Sequence, residues 1–330
     1  MEYRQLGKSD LKVSELILGT WAIGGWLWGG TDDEAAVAAV RKAIDVGMTS
    51  IDTAPAYGFG HSEEIVGKAI AGRRDEVQIL TKFGLRWDTE GNSEHFLTED
   101  ADGNPVLLRH NATAQSVVEE CESCLRRLGT DHIDLFQCHW PDRDTPFEET
   151  AEALAMLIKQ GKVLAAGVSN FTPEMMQRLI SGVQLASDQP PYSMLQRNIE
   201  KDIVPFCIEN DIALIIYSPL QRGILSGKVT MDRTFPETDA RSNSRIYKPE
   251  NRRRVLDFLD KIKPIADGHN ATLAQLVLNW TAHRPGITAV LSGARNPHQA
   301  EENAKAASFE LTDEETGTIN AELDQLELDL

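Results

Sequence analysis

The stretch VLAAGVSNFTPEMMQRLISGVQLASDQ, residues 163–189, decides the fold. Val163 to Val168 is an apolar run of strand length, and Leu185 to Gln189 is another. Between them, Thr172 before Pro173 supplies a helix N-cap followed by proline at the first helical position, and Pro173 to Ile180 carries the helical pattern. This is one strand–helix–strand unit. Outward from it the same alternation recurs, with further apolar runs at Glu15–Leu18, Thr49–Asp52, Val77–Thr81, Ile133–Cys138, Ala213–Tyr217 and Ala289–Ser292. Helical patterns fall at Asp33–Val46, Ser62–Ala71, Ala114–Leu128, Glu148–Lys159 and Ile203–Asn210. Eight strands in regular alternation with helices, and no Ser-, Pro- or Gly-rich linker, predict one (β/α)₈ barrel domain spanning residues 1–330. A doubly wound sheet would need a glycine-rich phosphate turn between a strand and a helix, and no G-x-G-x-x-G is present.

Three segments stand outside the alternation. Residues 1–13, with a polar turn at Gly7 to Asp10, predict a hairpin that plugs the end of the barrel opposite the active face. Leu85 to Asn111 and Lys228 to about Asn251 predict long loops after the third and seventh strands, at the face where barrels build their sites. Six carboxylates crowd the first of these between Asp88 and Asp102, at 88, 90, 94, 99, 100 and 102, and a solvated flap is the expectation.

The charge balance narrows the function. With 51 Asp plus Glu against 33 Lys plus Arg, the chain carries a formal charge of −18, which repels nucleic acid and anionic membranes. No uncharged segment is apolar enough to span a bilayer, and the N-terminus has no signal-peptide order, so a cytoplasmic enzyme is expected. The four cysteines make no disulfide framework, and the Cys121–Cys124 pair sits in a helical stretch without the turn of a redox motif.

In a barrel, ionisable residues at strand C-termini read as catalytic. Asp52 ends the second strand, with Tyr57 five residues later on a turn with Pro55 and Gly58; Lys82 follows the third strand and His139 the fourth. These four predict proton transfer by a phenol. A tyrosine's pKa near about 10 makes it a poor acid at neutral pH, and an ammonium at Lys82, held by Asp52, is expected to lower it. Tyr57 then exchanges a proton with a developing alkoxide while His139 hydrogen-bonds the same oxygen. A Schiff-base role for Lys82 needs a neutral amine, which Asp52 opposes. A metal site from Asp52, His139 and Cys138 fails on strand alternation, which turns Cys138 toward the helices.

The chain resembles the aldo-keto reductase family, and its bacterial stress-protein branch most of all. The resemblance rests on LGTW (18–21), IDTAPAYG (51–58), TKFG (81–84), HWPD (139–142), GVSNF (167–171), YSPL (217–220) and GARNP (293–297), in that order over nearly the whole length. It implies a barrel that binds NADP(H) without a Rossmann domain, acts on a small carbonyl compound or alcohol, and uses Asp52, Tyr57, Lys82 and His139 as its tetrad. It further implies that Ser169, Asn170 and Gln189 hold the nicotinamide carboxamide, that Tyr217 stacks on the ring, and that Thr20 and Trp21 border the pocket. The pyrophosphate would follow the loop from Ser218, Pro219 and Leu220 through Arg222 and Gly223 to Lys228. The adenosine end would meet Gly293, Ala294 and Arg295, then Gln299, Glu302 and Asn303. Many animal members carry lysine at the position of Gly293 and arginine at that of Gln299 to grip the 2′-phosphate. Arg295 is the nearest cation left here, and the expected preference for NADP(H) rests on it. The acidic excess is expected to lie away from this groove.

Overall fold

The computed structural model describes residues 1–26, 28, 30–89, 95–100, 102–235, 239, 241–242 and 244–329. Strands β1 (Tyr3–Gln5) and β2 (Lys12–Ser14) pair antiparallel as a hairpin. They are followed by β3 (Leu16–Gly19), β4 (Ser50–Asp52) and β5 (Gln78–Phe83), then a side sheet of β6 (Leu85–Arg86), β7 (His95–Glu99) and β8 (Pro105–His110). The remaining strands are β9 (Ile133–Cys138), β10 (Val163–Ser169), β11 (Leu185–Gln189), β12 (Ala213–Ile216) and β13 (Ala289–Gly293). Strands β3, β4, β5 and β9 to β13 close a parallel eight-stranded barrel in the order β3-β4-β5-β9-β10-β11-β12-β13.

The helices are α1 (Asp33–Asp45), α2 (His61–Ile70), α3 (Ala114–Leu128), α4 (Phe147–Lys159), α5 (Pro173–Ile180), α6 (Ile203–Asn210), α7 (Pro249–Gly268), α8 (Leu273–Ala282), α9 (Pro297–Ala304) and α10 (Asp313–Asp324). Thr172 caps α5 as its sequence position predicts, its side chain accepting from the Met175 amide, with Pro173 in the first turn. Helices α1 and α9 touch each other and close the outer ring.

Strand alternation divides the buried residues into two cores. Ile17, Leu80, Leu135, Ile215 and Leu291 point into the barrel and pack with Leu6 and Val13 of the hairpin, which plugs the lower end. Their strand neighbours Leu16, Ile79, Phe136 and Val290 point outward and pack under the helices. Cys138 faces outward with Phe136, and the helical Cys121 and Cys124 are free thiols in the same outer core.

The segment 85–111 departs from the expected loop. It folds into the β6-β8-β7 antiparallel sheet, with Leu85 opposite His110 and Phe96 opposite Leu108. Its strands are short and mostly exposed on β7, so no apolar alternation betrays them. Of its six carboxylates, Glu90 and Glu94 lie outside the described residues, while Asp88 pairs with Arg86 at 2.9 Å.

Candidate active site

The upper end of the barrel interior is polar. Lys82 and Asp52 are 0 % and 1 % exposed, and Lys82 Nζ donates to Asp52 Oδ1 at 2.5 Å and to the Thr53 carbonyl at 2.9 Å. Gln189 Nε2 donates to Asp52 Oδ2 at 2.7 Å, and Gln137 Nε2 lies 3.4 Å from the same oxygen. Parallel register explains the convergence, since Lys82 sits opposite Gln137 in neighbouring strands. Strand β5 runs on through Phe83, so Lys82 lies within the strand and points inward like Leu80 two residues earlier.

Tyr57 stands on a turn above this layer. Its ring lies 5.0 Å from Lys82 Nζ, 5.7 Å from the His139 ring in an edge-on arrangement and 6.4 Å from Trp21. Four residues from three strands and a turn thus share one mouth. The electrostatics differ from the sequence expectation at one point. Burial, with the Asp52 charge adding to it, raises the Tyr57 pKa well above its ordinary value. The lowering expected from Lys82 is outweighed by desolvation, the larger cause, although the ammonium stands 5.0 Å from the ring. Burial also lowers the Lys82 pKa while Asp52 pulls it back, and burial, Lys82 and His110 together hold His139 well below the ordinary histidine range. The resulting species are a neutral phenol and a neutral imidazole.

Around the mouth, Ser169 Oγ donates to the Gln189 carbonyl at 2.7 Å, and Asn170 Nδ2 donates to Ser169 Oγ at 3.0 Å and to the His139 carbonyl at 3.1 Å. Tyr217 Oη donates to Asn170 Oδ1 at 2.8 Å. Thr20, by contrast, is fully buried, its hydroxyl bonded to the Asp52 carbonyl at 2.9 Å and to Ser62 at 2.7 Å. It braces the strand ends from behind. Trp21 stands edge-on to Trp28 at 5.6 Å.

The expected phosphate path is likewise on one side. After β12, Ser218, Arg222 and Gly223 take φ of 57°, 54° and 101°, and Tyr247 Oη pins the turn by donating to the Arg222 carbonyl at 2.9 Å. Pro219 is buried beneath this turn, and the Leu220 carbonyl accepts the Gly223 amide at 2.9 Å. A Cβ at Gly223 would meet nothing within 4 Å, so the turn borders open space. Helix α9 starts at Asn296, whose side chain accepts the Gln299 amide at 2.9 Å. Gln299 Oε1 in turn accepts the Arg295 amide at 2.8 Å, Asn303 Nδ2 donates to the Gly293 carbonyl at 3.0 Å, and Ala294 is buried. The Lys305 ion pair, with smaller contributions from His298 and Lys228, lowers the Glu302 pKa, so Lys228 of the β12 loop lies near α9. Exposed cations, a capped helix N-terminus and an open glycine turn fit the phosphates of a dinucleotide. Arg295 is engaged, however: its guanidinium donates to the Gly30 carbonyl at 2.5 Å and approaches that of Trp28 at 3.4 Å.

Sequence reasoning missed Gln137 and His110. Gln137 was legible, being two residues beyond Leu135 and therefore on the same inward face. His110 has no such signal, because the β6–β8 sheet brings it to Trp140, with ring centroids 6.4 Å apart.

A closed parallel barrel with a lysine–carboxylate pair, a phenol and an imidazole at its C-terminal mouth has the architecture of a barrel enzyme. Residues 15–324 match the Aldo/keto reductase family, and the chain belongs to it. It is similar to the aldo-keto reductase YhdN of Bacillus subtilis (39 % identity, covering 98 % of this chain and 94 % of that protein). It is also similar to the NADH-specific methylglyoxal reductase of Escherichia coli, at 34 % identity over 98 % of each. Among solved structures, the glycerol dehydrogenase AKR11B4 from Gluconobacter oxydans superposes with a TM-score of 0.89 at 36 % identity, covering 99 % of this chain and 97 % of that one. Members of this family use a nicotinamide cofactor and act on small molecules.

Proposed function

We propose that this chain is a cytoplasmic NADP(H)-dependent oxidoreductase, a single barrel domain that interconverts aldehydes or ketones, sugars included, with alcohols. The observation that carries the reading is the meeting of Tyr57, Lys82, Asp52 and His139 at one mouth. A bound nicotinamide would supply the hydride for carbonyl reduction or take it up in alcohol oxidation. The protein's own residues do the rest. The Tyr57 phenol, kept protonated by burial, donates its proton to the oxygen on which negative charge develops. Neutral His139 orients that oxygen by hydrogen bonding, and the Lys82 ammonium stabilises the phenolate left behind. In the reverse direction the same tyrosine accepts the proton.

Ser169, Asn170, Gln189 and Tyr217 would hold the nicotinamide end. Arg222, Lys228, Arg295 and the α9 N-terminus would receive the phosphates. Preference for NADP(H) requires Arg295 to exchange its Gly30 and Trp28 carbonyls for a phosphate. Helix and local cations offset the repulsion that a net charge of −18 exerts on a polyanionic ligand. The surface charge also disfavours nucleic acid as a partner, and no helix among the described residues is long and apolar enough to cross a membrane.

Tyr57→Phe tests the reaction. Turnover of 4-nitrobenzaldehyde with NADPH should fall by about 10³-fold or more, with NADPH affinity by fluorescence titration nearly unchanged; retained turnover would refute the tyrosine's role. Arg295→Ala tests the cofactor preference. The ratio of NADH to NADPH dissociation constants should fall by about tenfold, and an unchanged ratio would sink the assignment.

A further inference from the structure

Two residues beyond Tyr57, Phe59 holds φ at 55°. A bulky side chain in the left-handed region is strained and persists only where its surroundings over-determine it. Here both sides of the turn are gripped. On one side the backbone of Gly24 presses against it: a Cβ on Gly24 would lie 2.5 Å from the Tyr57 carbonyl oxygen, and one on Gly58 would lie 2.2 Å from the Gly24 oxygen. On the other side the Phe59 ring lies 6.1 Å from Trp26 and 5.4 Å from Trp87, edge-on to the latter.

These aromatic walls belong to the side sheet or are fixed by it. Trp87 directly follows β6, and Phe59 packs with Leu85 and Leu108 of that sheet in one small cluster. Trp26 is fixed by β7, its Nε1 donating to Thr98 Oγ1 at 2.8 Å. The sheet and the Tyr57 turn therefore share one hydrophobic contact, to which the turn contributes the buried Ala56 and the ring of Phe59.

We propose that Phe59 is a positioning residue for Tyr57: clamped between Trp26 and Trp87, its ring holds the 57–60 turn on its left-handed path, so the docked β6–β8 sheet sets where the phenol stands. The inference rests on the reading of Tyr57 as proton donor. It gives the side sheet a role in the chemical step.

The test compares Phe59→Ala, Phe59→Tyr and Tyr57→Phe in the full chain with NADPH and 4-nitrobenzaldehyde. It measures kcat, the NADPH dissociation constant and the solvent deuterium isotope effect on kcat. In Phe59→Ala, kcat should fall at least about tenfold and the isotope effect should rise, because a displaced phenol makes proton transfer limiting, while NADPH affinity changes less than about twofold. Phe59→Tyr, which restores the ring, should return all three values to those of wild type. A wild-type isotope effect in Phe59→Ala, whether kcat is kept or lost, would overturn the proposal. Should Phe59→Ala not fold, Trp87→Leu removes one wall of the same clamp and must raise the isotope effect in its place. Loss of activity in Tyr57→Phe with no response in the Phe59 variants would defeat this inference alone. Activity retained by Tyr57→Phe would defeat the reading beneath it as well.

Discussion

Asp188 and Gln189 are neighbours on β11, yet they serve opposite sides of the barrel wall. Gln189 turns inward and donates to Asp52, a buried carboxylate that also receives Lys82 at 2.5 Å. Asp188 turns outward on the opposite face of β11, and among the described residues neither of its oxygens has a hydrogen bond of good geometry. Burial pushes the Asp188 pKa up to about 8, although the amides of Phe171 and Gln189 oppose the rise. Both carboxyls are almost fully buried. Depth alone therefore does not decide how a buried acid is accommodated. Partners decide it, and the inward face has them because Lys82, Gln137 and Gln189 all reach Asp52.

Removing the partner from the inward site is the strongest way to break that contrast. Lys82→Met should strand Asp52 as an unpaired buried acid, lowering stability by about 3–5 kcal/mol and turnover by about 10²–10⁴-fold. Chemical denaturation and steady-state kinetics would measure the two effects. A variant as stable and active as wild type would mean that the pair contributes neither.

Asp188 should behave in the opposite way. Its folded pKa of about 8 stands above the ordinary 3.8, so the folded state binds the extra proton between those values. Its contribution to stability is fully present below about pH 4, declines as pH rises, and is exhausted above about pH 8. Asp188→Asn removes that decline. The difference in Tm between variant and wild type should therefore grow from pH 5 to pH 9; a constant difference would show that Asp188 is ionised throughout.

Glu120 offers an intermediate case and a smaller effect of the same sign. One of its oxygens accepts the Gly84 amide at 2.8 Å, the other has no partner among the described residues, and burial raises its pKa to about 8. Glu120→Gln keeps the acceptor for Gly84, and because the Glu120 rise to about 8 starts from 4.5 and that of Asp188 from 3.8, it should flatten the loss of stability above neutral pH slightly less than Asp188→Asn does. A larger effect in Glu120→Gln would reverse that ranking.

The barrel was legible because its strands are buried on both faces and read as apolar runs. Ile133–Cys138 and Leu185–Gln189 match the structure residue for residue. The side sheet was not legible, because exposed strands such as His95–Glu99 need no apolar face. Among the candidate site residues, Asp52 and His139 could be read from their places at strand ends, Lys82 from its place near the end of β5 and Tyr57 from the turn after β4. The commitments of their neighbours could not. Thr20 bracing Asp52, Arg295 holding the Gly30 carbonyl and Gln137 completing the inner layer all join residues far apart in the chain.

Local order in the sequence thus determined the elements, their alternation and the chemical kinds of side chain at the mouth, since period and composition act over a few residues. Tertiary structure decided which of those groups carry charge. The pKa of Tyr57, His139 or Asp188 depends on burial and on partners brought from other strands, and neither exists until the barrel closes.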